Sequence, residues 1–158
     1  DPVIFLVQSA HPCCRYSRYR DTFYHPWIDL REFEQEIFIL QHQGQSLRQY
    51  SDQLLEEAGL SPQRITQIRN IETAAQMAAN GLGVSFCLES YFRHMMFIQP
   101  PYRFSVGERQ LAADFSAAYR RGRQLPEYTV QFIHLLKNLM EMEVGRMVEM
   151  DKSVNKNL

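Results

Sequence analysis

The stretch IETAAQMAANGLGVSFCL, Ile71 to Leu88, decides the fold of this chain. Thr73, Ala74, Met77 and Ala78 recur at i, i+3, i+4 spacing, which places them on one face of a helix. Asn70 can cap that helix at its start. Gly81 stands where a helix ends in the left-handed conformation, which glycine adopts without a Cβ penalty. After Gly83, the short and mostly apolar run Val84 to Leu88 has the composition of a central strand. Helix, Gly-x-Gly, strand is the joint of an α/β domain.

Working outward, Val3 to Val7 and Ile37 to Leu40 are compact apolar runs and read as strands. Ser9 to His25 reads as a connection with short helical turns, and Pro26 to Phe33 leads into the second strand. A loop from Gln41 to Gln45 then delivers a helix, with Ser46 as the expected N-cap and Gln49 completing a capping-box pattern. Leu47, Tyr50, Leu54, Leu55 and Ala58 form its expected buried face, and Gly59 and Pro62 end it. Ile65 to Asn70 is a short candidate strand and Tyr91 to Met96 a helical turn.

Pro100 and Pro101 interrupt the pattern and mark a boundary. Beyond them lie strand-like pieces at Tyr102 to Val106 and Leu111 to Tyr119. Pro126 suits the first turn of an amphipathic helix carrying Val130, Ile133, Leu136 and Met140 on one side. Met142 to Val148 remains compatible with helix, and Asp151 to Leu158 is polar. Alternating strands and helices imply a parallel sheet wrapped by helices.

Composition narrows the function classes. The chain is 45% hydrophobic and 22% charged, with net charge −1, and so lacks the basic face that phosphate contacts need. No window holds the roughly 18 apolar residues that span a bilayer. Three cysteines leave an odd thiol in any disulfide scheme, which fits a reducing cytoplasm. Cys13 and Cys14 are adjacent, with His11 and His25 the only imidazoles near them in sequence; a closed zinc site wants four ligands at other spacings, so no metal is expected. There is no Gly-x-Ser-x-Gly elbow, no phosphate-cradling loop and no His-Glu-x-x-His. Gly81 and Gly83 follow a helix, whereas a dinucleotide fingerprint follows a strand. Neither catalytic residues nor a cofactor are expected.

Several segments together resemble the effector domain of LysR-type transcriptional regulators. Ile71 to Leu88 resembles the family's Glu-Thr pair opening a helix that ends in Ala-x-Gly-Leu-Gly-Val. DPVIFLVQSAHP, with His11 and Pro12, resembles its apolar strand and His-Pro step, while IDLREF and EIFIL resemble the aspartate-leucine segment and following strand. QSLRQYSDQLLEEAGLSP and LAADFSAAYRRGRQLPEYTVQFIHLL look like its next helix and turn, and its closing strand and final helix. Leu88 stands where the family pattern commonly has proline.

The resemblance implies an α/β fold of the periplasmic-binding-protein type II kind, with two lobes. On that map residues 1–8 end lobe one and cross over, 9–97 form the whole of lobe two, 98–140 return to lobe one, and 141–158 extend the last helix into a tail. The family's winged helix-turn-helix and roughly the first third of its effector domain have no counterpart before Val3, so the chain reads as a fragment. Exposed apolar surface on the returning elements would then call for a partner chain or complementing fragment.

Two expected helix N-termini, at Gln43 to Ser46 and Asn70 to Thr73, present unpaired N–H groups and positive dipole ends suited to a carboxylate. Both follow strands, at the end of an α/β sheet where ligands gather. Gln41, Gln43 and Gln45 add neutral donors and acceptors, and His42 adds a partial positive charge. The expected effector site is therefore Gln41, His42, Gln43, Gln45, Ser46, Asn70, Glu72 and Thr73. Its ligand would be a small polar or carboxylate metabolite. The function this implies is ligand sensing for a homo-oligomeric cytoplasmic regulator, with no membrane partner, that meets DNA only through a domain absent from this chain. The alternatives are a stand-alone solute receptor serving a transporter, or a degenerate regulator lobe used for protein contact.

Overall fold

A computed structural model describes residues 1–122 and 124–139. Two compact units divide the chain, Asp1–Ala113 and Asp114–Leu158. The first holds β1 (Val3–Val7), β2 (Ile37–Leu40), α1 (Ser46–Glu57), β3 (Arg64–Gln67), α2 (Ile71–Ala79), β4 (Val84–Leu88), α3 (Glu89–Arg93) and β5 (Tyr102–Phe104). Short 3-10 turns, Pro12–Tyr16 and Leu30–Phe33, punctuate the connection between β1 and β2.

The strands make one sheet in the order β3-β2-β4-β1-β5. β2 runs parallel to both β3 and β4, and β1 runs antiparallel to β4 and β5. The sheet is thus mixed, where alternation alone predicts a parallel one. The reason is that β1 and β5 are not joined to their neighbours by right-handed βαβ crossovers, which are what force parallel pairing.

Each face of the sheet buries a different kind of core. On one side Phe5 meets the rings of Phe33 and Phe86, both at 5.1 Å, and α1 covers them with Leu47, Leu54 and Leu55. On the other, Ile4, Leu6 and Cys87 pack against the alanines of α2. The buried α2 residues are Ala74, Ala75, Ala78 and Ala79. Thr73 is exposed and Met77 half-buried, so the buried face is turned from the one expected. Thr73 is held at the rim because its hydroxyl donates to Asn70 Oδ1. On α1, Leu47, Leu54 and Leu55 are buried, Tyr50 and Ala58 are half-buried against the same core, and Arg48 and Ser51 are buried as well.

Three further expectations need correction. Gln45, not Ser46, is the N-cap of α1, and no side chain caps that helix. With Ser46 already inside the helix, the Ser46–Gln49 capping box does not form. Leu111 to Tyr119 forms no strand: Ala112 makes only an isolated bridge to Pro2. Leu111 and Ala113 flank that bridge by bonding to Val3 and Asp1, and among the described residues no ladder partner continues beyond Ala113. The turn expected at Tyr91 to Met96 starts earlier, since Leu88 is itself the N-cap of α3.

The second unit contains a helix over residues 127–139, entered as expected through Pro126, whose carbonyl accepts from Thr129 and Val130 N–H. Val130, Leu135, Leu136 and Leu139 on it are exposed. Met140, the helical continuation to Val148 and the polar tail lie outside the described residues.

Glycine at two positions is required by geometry. Gly81 ends α2 at φ +75°, and Gly83 opens β4 at φ +151°. A Cβ on Gly83 would sit 2.3 Å from the Ile37 carbonyl oxygen, a backbone atom that cannot move without breaking β2. A Cβ on Gly81 would meet only the amide end of Gln8.

At the far end of β4 a charge is buried. Glu89 is 2% exposed, and its carboxylate meets His25 Nε2 at 2.8 Å, Arg103 Nη1 at 2.8 Å and Arg93 Nε at 3.2 Å. Burial alone would raise its pKa, but the hydrogen bond and charge of His25, then Arg103 and Arg93, outweigh it and bring the group from 4.5 to about 2. These partners come from the 17–26 loop, α3 and β5, so one carboxylate ties three segments together.

Gly83→Ala is expected to cost about 3 kcal/mol and Gly81→Ala about 1 kcal/mol. Urea denaturation checks the order, and equal losses would remove the argument from the Ile37 contact. Glu89→Gln should cost about 2 kcal/mol near neutral pH by leaving the half-buried Arg93 and Arg103 without their counter-charge. A depressed carboxyl pKa stabilises the fold fully above about pH 4.5, and that stabilisation drains away as pH falls toward about 2. The gap between parent and variant must therefore narrow below pH 4.5. A gap independent of pH would show that the charge is not the cause.

Candidate functional site

Because β2 and β3 are parallel, the loops that leave them emerge side by side. Ile68 N–H extends the ladder to Leu40 C=O at 2.9 Å. Gln45 then clamps the loops: its Oε1 accepts from His42 N–H at 3.1 Å and its Nε2 donates to Arg69 C=O at 3.2 Å. Gly44, at φ +89°, makes the tight turn between them. The starts of α1 and α2 are thereby brought to one rim of the sheet.

At α1 the Gln45 carbonyl accepts from Arg48 and Gln49 N–H, which leaves the Ser46 and Leu47 N–H groups without intrahelical partners. Beneath them lies Arg48, only 7% exposed, donating Nη1 to Gln41 C=O at 2.9 Å and Nε to Asp52 Oδ1 at 2.7 Å. Its charge is paired within the first two turns of α1. At α2, Asn70 Oδ1 takes the Thr73 N–H at 2.8 Å, leaving those of Ile71 and Glu72 at the helix mouth. Glu72, in this first turn, is exposed and points its charge to solvent.

The eight expected site residues therefore divide. His42, Gln43, Ser46, Asn70, Glu72 and Thr73 are exposed on the two loops, and Gln45 is half-buried as the clamp. Gln41 lies inside, 1% exposed, and both polar atoms of its amide lack a partner. Sequence reasoning missed Arg48, although its i, i+4 spacing to Asp52 is visible in QSLRQYSD. It also missed Glu89, which nothing local distinguishes from an ordinary first-turn acid.

The cysteines offer no converging ligand set. Cys13 Sγ is turned to Glu32 C=O and Cys14 Sγ to Gln8 C=O, and burial pushes both thiols up. Cys87 is pushed up to about 12, burial again being the main cause, so its face of the sheet is strongly apolar. Among the described residues no group of three or more His, Cys, Asp or Glu is placed to hold a metal. No helix among them is long and apolar enough to cross a membrane.

Comparison with known proteins matches this arrangement to one family. The family model described as "LysR substrate binding domain" matches residues 2–141. Among solved structures, the Synechocystis PCC6803 CcmR regulatory domain in complex with 2-PG is 17% identical, with TM-score 0.65 over 87% of this chain and 62% of that one. The BenM effector binding domain with its effector benzoate is also 17% identical, with TM-score 0.51 over 68% and 46%. The effector binding domain of QuiR in complex with shikimate is 18% identical, with TM-score 0.50 over 68% and 48%. The chain spans between 46% and 62% of the length of these three structures. No curated protein sequence matches it. These likenesses share a fold of the periplasmic-binding-protein type II kind, and the extent of the family match decides membership: the chain belongs to the LysR substrate-binding-domain family.

Proposed function

We propose that this chain is the ligand-sensing part of a LysR-type bacterial transcription regulator. The observation that carries the reading is the rim where Gln45 locks two helix N-termini together above the buried Arg48. Four N–H groups without intrahelical partners lie at one rim, which suits an anionic or strongly polar small molecule. That solved likenesses were determined with benzoate, shikimate and 2-PG supports a small-molecule effector.

On this reading His42, Gln43, Ser46 and Thr73 touch the ligand, Gln45 and Asn70 hold the loops, and Glu72 repels an anion placed too far toward α2. Residues 9–97 correspond to lobe two, 1–8 and 98–113 to crossover segments lying in its sheet, and the rest to the return toward lobe one and its extension. The ligand acts by linkage. Binding favours one lobe orientation and so shifts how a homo-oligomeric, cytoplasmic regulator presents DNA-binding heads carried elsewhere in the full protein. On this reading the site works as a sensor.

Benzoate and shikimate are suitable probes for thermal unfolding. A ligand at about 100 times its Kd stabilises by about 2.7 kcal/mol, enough to raise the melting temperature by roughly 5 °C or more. Asn70→Ala, which frees the α2 cap, should reduce that shift while costing only about 1 kcal/mol of stability by itself. If millimolar concentrations of both probes leave the parent chain unmoved, the proposed site fails. A DNA duplex at physiological salt should not be retarded by this chain, and retardation that falls steeply with salt would contradict the proposed division of labour.

A further inference from the structure

Trp27 carries two arginines on its ring. The guanidinium carbon of Arg20 lies 3.5 Å from the ring centre and that of Arg18 lies 4.6 Å from it. The two charges are therefore no farther apart than these distances together. The indole beneath them is fixed from two sides. Its Nε1 donates to Gly107 C=O at 2.7 Å, and its backbone exchanges hydrogen bonds with Arg18 at 2.7 and 2.9 Å. Trp27 also bridges to Ser105, and Ile28 N–H donates to Ser105 C=O at 3.0 Å, which attaches the segment to the outer side of β5. β5 is the sheet edge opposite β3, so this cluster stands apart from the loops that follow β2 and β3.

Among the described residues, Arg18 and Arg20 enter no ion pair and their side chains donate no hydrogen bond. Arg18 is exposed and Arg20 half-buried, so both remain open to solvent. The acid whose field reaches Arg18 is Asp29, but both its carboxylate oxygens are taken by Arg31 at 2.6 to 3.1 Å. Asp21 follows Arg20, is exposed, and forms no ion pair with either arginine. Arg15 in the same loop differs, since its Nη2 donates to the Tyr16 hydroxyl at 2.6 Å. Like charges held this close repel, and a ring quadrupole offsets only part of that. Folding has thus placed two guanidinium forks together on a rigid support and left their N–H groups uncommitted.

We propose that Arg18 and Arg20, seated on Trp27, bind a phosphoryl dianion, as free phosphate or as the phosphomonoester of a small metabolite. A bidentate N–H···O contact of about 2.8 Å puts the centre of an oxyanion about 4 Å from a guanidinium carbon, so one tetrahedral anion spans the pair. Its oxygens serve two forks at once, whereas a single carboxylate fills one. Two negative charges also balance two positive ones. The near-neutral chain offers no extended basic face for a nucleic-acid backbone, but a single phosphoryl group asks only for two cations at one point. This site is independent of the effector rim.

Trp27 is the chain's single tryptophan, so its fluorescence reads the site directly. At constant ionic strength, inorganic phosphate and glycerol 3-phosphate should each change the emission of the 158-residue chain along a saturating curve, and sodium chloride should not. Tighter binding of the ester identifies a metabolite as the source, and equal affinities identify phosphate itself. Arg18→Gln and Arg20→Gln should each weaken both ligands about 10-fold. Arg20→Lys should weaken them less, because it keeps the charge and loses the fork. These substitutions alter the surroundings of the ring, so calorimetry with the same ligands supplies affinities that do not depend on emission. Unchanged affinity in both glutamine variants overturns the proposal, as does a parent that saturates by neither method. Asn70→Ala, which alters the effector rim, should leave the titration as it is. Loss of the signal in that variant would put the anion at the rim and overturn the proposal as well.

Discussion

Everything in the first unit depends on how closely β4 approaches β2. The Ile37 carbonyl occupies the space where any side chain at residue 83 would begin. With glycine there, β4 can pair parallel to β2 on one edge and antiparallel to β1 on the other. The parallel half sends two loops to one rim, and the antiparallel half returns the chain to the same rim at Pro2 and Ala112. Without that contact neither the loop clamp nor the two-faced core could exist.

The two ends of β4 use opposite physics. At its start, sterics exclude a single atom. At its exit, Glu89 gathers His25, Arg93 and Arg103 around one carboxylate that water barely reaches. The pairing is strong enough to overcome a burial penalty that works in the other direction. Such a network contributes more to specifying one arrangement of loop, helix and strand than to net stability, since apolar packing could supply the latter.

What could be read from the sequence follows from how local each signal is. The Asn70 cap, the turn at Gly81 and the strand after Gly83 each depend on a few consecutive residues, and all three are present. Ser46 carries an equally local signal and is overruled, because Gln45 gains contacts to His42 and Arg69 that only the folded sheet provides. The direction of β1 and β5 was not legible, since antiparallel pairing leaves no mark in an apolar run. For the site, the loops and their residue types were visible in advance, whereas the burial of Gln41 and Arg48 arises from neighbours in β3, β4 and α1. Leu111 to Tyr119 has the pattern of a strand, yet among the described residues its pairing stops at Ala113, which pattern alone cannot disclose.

Ala113 N–H donates to the Asp1 carbonyl at 2.8 Å, and Ser90 N–H holds the Asp1 carboxylate at 3.0 Å. Two residues 112 positions apart in sequence are thus pinned to one point at the rim of the sheet. The chain entropy lost in closing so long a loop grows only with the logarithm of its length, so a few hydrogen bonds suffice to hold a contact that is slow to find.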